Sequence, residues 1–239
     1  MPQHIVKAFD EQLNSLDAKI AEMGGLAESM LADAIDALSK RDTELAAEVV
    51  AGDHKLDVLE DEVNYIAMRL LALRQPTAGD LRAVLAALKI SSDLERAGDL
   101  AKNVAKRAIT IAKAPPIAPV TGMVGLGALV QGRIKTAIDA FVARDAILAM
   151  DVWNSDEEVD QLHTSLFREL LTYMMEDPRN ITACAHLLFI AKNIERIGDH
   201  VTNIAERIVF LVHGKAPERE RHKEDESSST EVRPFKKEN

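Results

Sequence analysis

One segment of this chain is written twice. Residues 95–107 read Glu-Arg-Ala-Gly-Asp-Leu-Ala-Lys-Asn-Val-Ala-Lys-Arg, and residues 195–207 read Glu-Arg-Ile-Gly-Asp-His-Val-Thr-Asn-Ile-Ala-Glu-Arg. Seven of these 13 positions are identical, at an offset of 100 residues. Repetition at a long fixed period marks a structural unit made more than once, so both halves must follow one fold. The repeated positions are mostly charged or amide-bearing, which packing alone seldom requires.

Earlier stretches repeat as well. Ala34-Ile35-Asp36-Ala37 followed by Arg41-Asp42 matches Ala137-Ile138-Asp139-Ala140 followed by Arg144-Asp145, at an offset of 103. At that offset Asp53 and Asp57 align with Asp156 and Asp160. The later drop from 103 to 100 fits a longer turn around Pro76 in the first half.

Aromatic residues are only 4% of the chain, so the core must come from Leu, Ile, Val, Ala and Met, a composition that favours helices. Helical periodicity runs almost end to end, with a few breaks. Gly24-Gly25 lies inside the first long helical pattern, as a place where that helix can bend. Arg41-Asp42-Thr43 reads as a turn, with Asp42 or Thr43 capping the next helix. Further breaks fall at Gln75-Pro76-Thr77-Ala78-Gly79, at the Pro-rich Ala114 to Pro119 segment, and at Glu176-Asp177-Pro178. The predicted fold is all-α: a tandem repeat of two antiparallel three-helix bundles, six helices in all. The first repeat spans 1–113, a Pro-rich connection 114–121 and the second repeat 122–213. Residues 214–239 are rich in alternating charge and poor in apolar residues, and are expected to form a disordered tail.

The formal net charge of −10 argues against a nucleic-acid surface, which needs clustered Lys and Arg. The single cysteine, Cys184, excludes an internal disulfide and a thiolate metal cluster. No secretory pattern and no membrane-length apolar run is evident, so a cytoplasmic protein is expected.

The repeated acids are the candidate site. Glu95 and Asp99 stand four residues apart, as do Glu195 and Asp199, so each pair projects side by side from a helix. Glu95 continues the face of Leu81, Val84 and Leu88, and Glu195 that of Ile181, Cys184 and Leu188. Levels agree too. Asp57 lies 18 residues before the first turn and Glu95 16 after it; Asp160 and Glu195 each lie 16 from the second turn. At 1.5 Å per residue all sit roughly 25 Å from a turn. Asp53 and Asp57 should therefore face Glu95 and Asp99, and Asp156 and Asp160 should face Glu195 and Asp199. Glu28, with Gln131 as its counterpart, reaches the same level from the first helix of each half.

Like charges at this spacing repel, and more so when desolvated, so something must compensate. Cations are one candidate, because carboxylate oxygens are ligands of Mg²⁺, Ca²⁺ and Mn²⁺ and are common around iron. Arg96, Arg196, Arg107 and Arg207 are the other. Asn103 and Asn203 repeat one turn beyond the aspartates, where they can orient a carboxylate or make packing contacts. His54, His163 and His200 match no repeated ligand spacing and read as incidental. Gly98 and Gly198 are expected to admit close helix contact beside the acids.

At these residues the sequence resembles the PhoU family over about residues 4–213. The Glu-Arg-x-Gly-Asp-x-x-x-Asn motif in both halves carries the likeness. The resemblance implies a cytoplasmic, non-enzymatic, generally dimeric negative regulator of phosphate uptake and of the phosphate-starvation response. It implies contact with the sensor histidine kinase PhoR and with the ATPase subunit of the Pst phosphate transporter, with membrane association only through such partners. It further implies iron, zinc, manganese or magnesium at Asp53, Asp57, Glu95, Asp99, Asp156, Asp160, Glu195 and Asp199. Two other readings stand beside it. A metal-free helical adaptor would bind a basic partner through its acidic faces. A ferritin-like di-iron protein would need Glu-x-x-His on two helices, whereas only Asp160-x-x-His163 comes close.

Overall fold

The computed structural model describes the backbone of residues 2–73 and 77–217, and the side chains of 11–72 and 77–217. Among the described residues there is no strand. The chain order is α1 (Pro2–Lys40), α2 (Thr43–Gly52), α3 (His54–Leu73), α4 (Ala78–Ile111), α5 (Val120–Ala143), α6 (Ala146–Asn154), α7 (Asp156–Glu176), a 3-10 turn (Pro178–Asn180) and α8 (Ile181–His213). The six expected helices are thus present, with the second of each half interrupted once. At Asp53 and Ser155 the helix is interrupted by tighter i to i+3 hydrogen bonds, Leu56 N to Asp53 O in the first half, and Ser155 N to Val152 O and Glu158 N to Ser155 O in the second. Asp53 and Asp156 stand at these two breaks.

The turns repeat with the sequence. Arg41 and Arg144 both end their helices in the left-handed region, at φ 59° and 54°. Asp42 and Asp145 then cap α2 and α6, each accepting two backbone N–H bonds. Arg41 also reaches across to donate to the carbonyl of Ala112, tying the end of α4 to the first turn. Of the expected first hairpin turn, Gln75 and Pro76 lie outside the described residues. Thr77 forms a capping box with Asp80 at the start of α4. In the charged C-terminal segment, residues 218–239 also lie outside them.

Four long helices form the centre: α1 packs on α4, α4 on α8, α8 on α5, and α5 on α1. The broken pair α2–α3 leans on α1 and α4 to complete the first three-helix bundle, while α6–α7 leans on α5 and α8 to complete the second. The two bundles share one continuous apolar core, including Leu31, Leu94, Phe141 and Ile194. Antiparallel contacts along the α4–α8 seam hold the halves in register: His200 Nδ1 lies 2.9 Å from Asp93 Oδ1 and Arg107 Nη1 3.3 Å from His186 Nδ1.

α1 runs through Gly24 and Gly25 as one uninterrupted helix. Gly24 admits the side chain of Ile138 from α5, so close that a Cβ would meet Ile138 Cδ1 at 2.4 Å. Its repeat partner Gly127 admits Ile35 in the same way, at 2.6 Å.

Candidate functional site

In the first half α3 and α4 lie antiparallel and bring the expected acids together. Asp53 is buried at the break between α2 and α3, Asp57 is half exposed, and Glu95 and Asp99 are partly exposed on α4. Glu60, one turn beyond Asp57, joins them. The Glu95 carboxyl is pushed up from its ordinary value by burial first, then by the negative charges of Asp99, Glu60 and Asp57, with Arg96 opposing. Burial, Asp61 and Asp57 likewise push Glu60 up, against a hydrogen bond with Ser92 and the charge of Arg96. Arg96 itself is exposed, so the expected arginine compensates only in part.

The main counter-charge comes from Lys102, which pairs with both Asp53 and Asp99. Burial acts to lower its ammonium, but the two hydrogen bonds and their charges outweigh this and the net shift is upward. Nothing in the repeat pointed to it, because the matching position in the second half is Thr202.

The second half has the same framework with a different interior. Asp156, Asp160 and Glu195 are 4%, 2% and 3% exposed, and His163 beside them is 2% exposed. Asp199 remains partly exposed. The Thr202 hydroxyl donates to Asp156 at 2.9 Å, and Lys192 Nζ lies 2.9 Å from Glu195. From α5 comes Arg133, itself buried, whose Nη2 donates to Glu158 at 3.0 Å. Burial lowers its guanidinium, while the charges of Glu158, Asp156 and Asp160 hold it up. Arg196 is exposed, as are Arg96 and Asn103, and Asn203 is partly buried. Glu28 and Gln131 meet each other across the α1–α5 crossing, Nε2 to Oε1 at 3.3 Å.

His163 and His200 turn out to hold structural positions, His163 beside the buried acids and His200 on the α4–α8 seam. Arg133 also carried a signal in sequence, since it falls on the face of Leu126, Val130 and Ala137, where an apolar residue belongs. As the side chains stand, no three His, Cys, Asp or Glu groups among the described residues converge on one ion-sized position. The chemistry of the donors still differs between halves. The first offers several partly exposed, mutually repelling oxygen donors, which suits a hard cation. The second has a guanidinium already inside.

Two tandem copies of a PhoU domain match the chain, at residues 20–108 and 123–208. The chain belongs to the PhoU family. It is 53% identical over 226 residues to the phosphate-specific transport system accessory protein PhoU homolog of Caulobacter vibrioides, covering 94% of this chain and 98% of that one. The PhoU homolog of Rhizobium meliloti is 49% identical over 227 residues, covering 95% and 96%. Among solved structures, PhoU from Pseudomonas aeruginosa superposes with a TM-score of 0.84 at 38% identity, covering 87% of this chain and all of that one. The PhoU phosphate transport system regulatory protein of Streptococcus pneumoniae gives 0.82 at 28% identity, covering 88% and all of its length. The PhoU fold therefore accounts for both bundles. No described helix is long and apolar enough to cross a membrane.

Proposed function

We propose that this protein is a non-catalytic regulatory adaptor of a phosphate-specific transport system, repressing phosphate uptake and phosphate-starvation signalling when phosphate is plentiful. The observation that carries the reading is near full-length likeness to relatives named as accessory proteins of such a system. Acting in the cytoplasm, as a homodimer, it would touch the transporter's ATPase subunit and a PhoR-type sensor kinase, altering each by binding. Partly exposed carboxylates on the first bundle, Asp57, Glu60, Glu95 and Asp99, would hold a divalent or trivalent ion such as iron, zinc, manganese or magnesium. Such an ion would supply positive charge where carboxylates now repel. Lys102 would give up its place on Asp99 as the ion enters.

A metal-free adaptor is the second reading, and Lys102 and Arg133 favour it, since both supply positive charge from within the chain. One experiment tests the role they share. A phosphate-starvation promoter reporter is followed in phosphate-replete medium, with and without the gene. Strong derepression on deletion is expected. An unchanged reporter would remove the link to phosphate signalling. The metal content of purified wild-type and Asp99→Asn protein then separates the two readings.

A further inference from the structure

The acids of the first half stand at one end of a longer seam between α3 and α4. Along α4, Leu81, Leu85, Leu88, Ser92, Glu95 and Asp99 follow one another in alternate steps of four and three, so they form one line on the helix. Asp57, Glu60, Asn64 and Leu71 lie on the facing line of α3. The hydrogen bond between Glu60 and Ser92 fixes the register of the two lines. Leu71 is eleven residues beyond Glu60 and Leu81 eleven before Ser92, about three turns in each case, so the two leucines stand level at the hairpin end. Leu71, Leu81 and Leu85 are 36%, 38% and 40% exposed, and Met68, one turn before Leu71, is 67% exposed. The seam is therefore apolar at the hairpin end and acidic about 20 Å away.

The second half carries the same two lines with a bulkier middle. Phe167 and Lys192 stand where the first half has Asn64 and Ser92, and the acids beyond them, Asp160 and Glu195, are buried. In the first half Asp57 keeps half its side chain in solvent and Glu95 is partly exposed. An open line of leucines at coiled-coil spacing is a surface that one more helix can pack against. Its complement has apolar side chains for the leucine end and Lys or Arg for the acidic end, where positive charge also relieves the repulsion among Asp57, Glu60 and Glu95. A second copy of this chain does not supply that complement. Two such seams laid parallel set acid against acid, and laid antiparallel they set leucine against acid.

We infer that the α3–α4 seam of the first half is the docking site for an amphipathic partner helix of about four turns, apolar at one end of its contact face and basic at the other. This docking rests on the adaptor reading, in the form in which the acids meet a basic partner, and it names the surface and the chemistry of that contact. Peptide binding and the deletion reporter test the two separately.

The test uses the full chain in EDTA, with a fluorescein-labelled helical peptide of Leu, Ala and Lys, about four turns long, as the probe. Its contact face carries leucine in one half and lysine in the other; a control peptide of equal composition alternates them. Fluorescence anisotropy should show the segregated peptide binding about tenfold more tightly than the control. Leu71→Gln with Leu81→Gln should weaken it about tenfold, and so should Glu60→Gln with Glu95→Gln, which should also flatten its salt dependence. Met175→Gln with Ile181→Gln, at the exposed hairpin end of the second half, should leave it within about twofold. Melting curves check that each variant is folded. No binding by the wild type, equal binding of both peptides, or equal loss from the second-half variant would overturn the docking site. A photoreactive phenylalanine analogue in place of Leu85 reports the occupant: cross-links to the bound peptide are expected. Cross-links instead to a second copy, or to residues 218–239 of the same chain, would overturn the partner helix. Derepression on deletion without peptide binding would remove the seam and leave the adaptor reading. Peptide binding with an unchanged deletion reporter would do the reverse.

Discussion

Ile138 of α5 occupies the space that a side chain on Gly24 of α1 would need, with Cδ1 2.4 Å from where a Cβ would stand. The same relation recurs one repeat away between Ile35 and Gly127, so each half gives one isoleucine and receives one. This reciprocal fit sets how closely α1 and α5 approach, and with them the two bundles.

Gly24→Ala should therefore destabilise the fold by about 1–3 kcal/mol through overpacking. Gly25→Ala, next in sequence, meets nothing within 4 Å and should be neutral or stabilise by up to about 1 kcal/mol. Urea unfolding of the two single variants checks the contrast. Similar values for both would show that the helices part without cost.

Gly98 and Gly198 are equivalent in sequence but not in space. A Cβ on Gly98 would come within 2.2 Å of Leu56, while on Gly198 the nearest atom, of Val159, is at 3.4 Å. Gly98→Ala should cost about 1–3 kcal/mol and disturb the first acidic face beside it. Gly198→Ala should be nearly silent in thermal denaturation.

Lys102 has its folded ammonium raised above the ordinary value, so its contribution to stability is complete below the unfolded value near 10.4 and is lost only above it. Lys102→Met should cost about 1–2 kcal/mol, less than a fully buried pair because the site is partly exposed. The deficit should be equal in denaturant titrations at pH 6 and pH 9. A deficit that faded between these values would assign the effect to another group.

Glu60 and Glu95 act with the opposite consequence. Their carboxyls are raised, mainly by burial and then by neighbouring acids, so the folded chain binds protons more readily than the unfolded one. Stability is then lost as pH rises from about 4.5 through the raised folded values. Replacing both by Gln should stabilise the metal-free protein at pH 7 by up to about 1 kcal/mol, given their partial exposure. The gain should shrink towards zero near pH 4. Differential melts across that range would show it, and a gain independent of pH would count against the charge argument.

Much of this architecture was readable in the residues themselves. The antiparallel pairing of Asp57 with Glu95 needed only a turn position and the helical rise, since both quantities are local. The caps at Asp42 and Asp145 followed from residue chemistry at the turns. The packing role of Gly24 was not legible, because a glycine inside a helix signals weakness unless the element that packs against it is known. Lys102 and Arg133 were overlooked for a related reason. The repeat directs attention to positions that match, and these two cations sit where the halves differ.

What the sequence determined by itself was therefore the helical class, the doubling, and the placing of acids at one level on facing helices. Periodicity, capping and rise all act within one helix or one hairpin. The tertiary structure decided how deeply each acidic face lies and which cation meets it. Those outcomes depend on α5 passing close to α7 and on α1 meeting α5 through Gly24 and Ile138, contacts between residues far apart in the chain that no local pattern encodes.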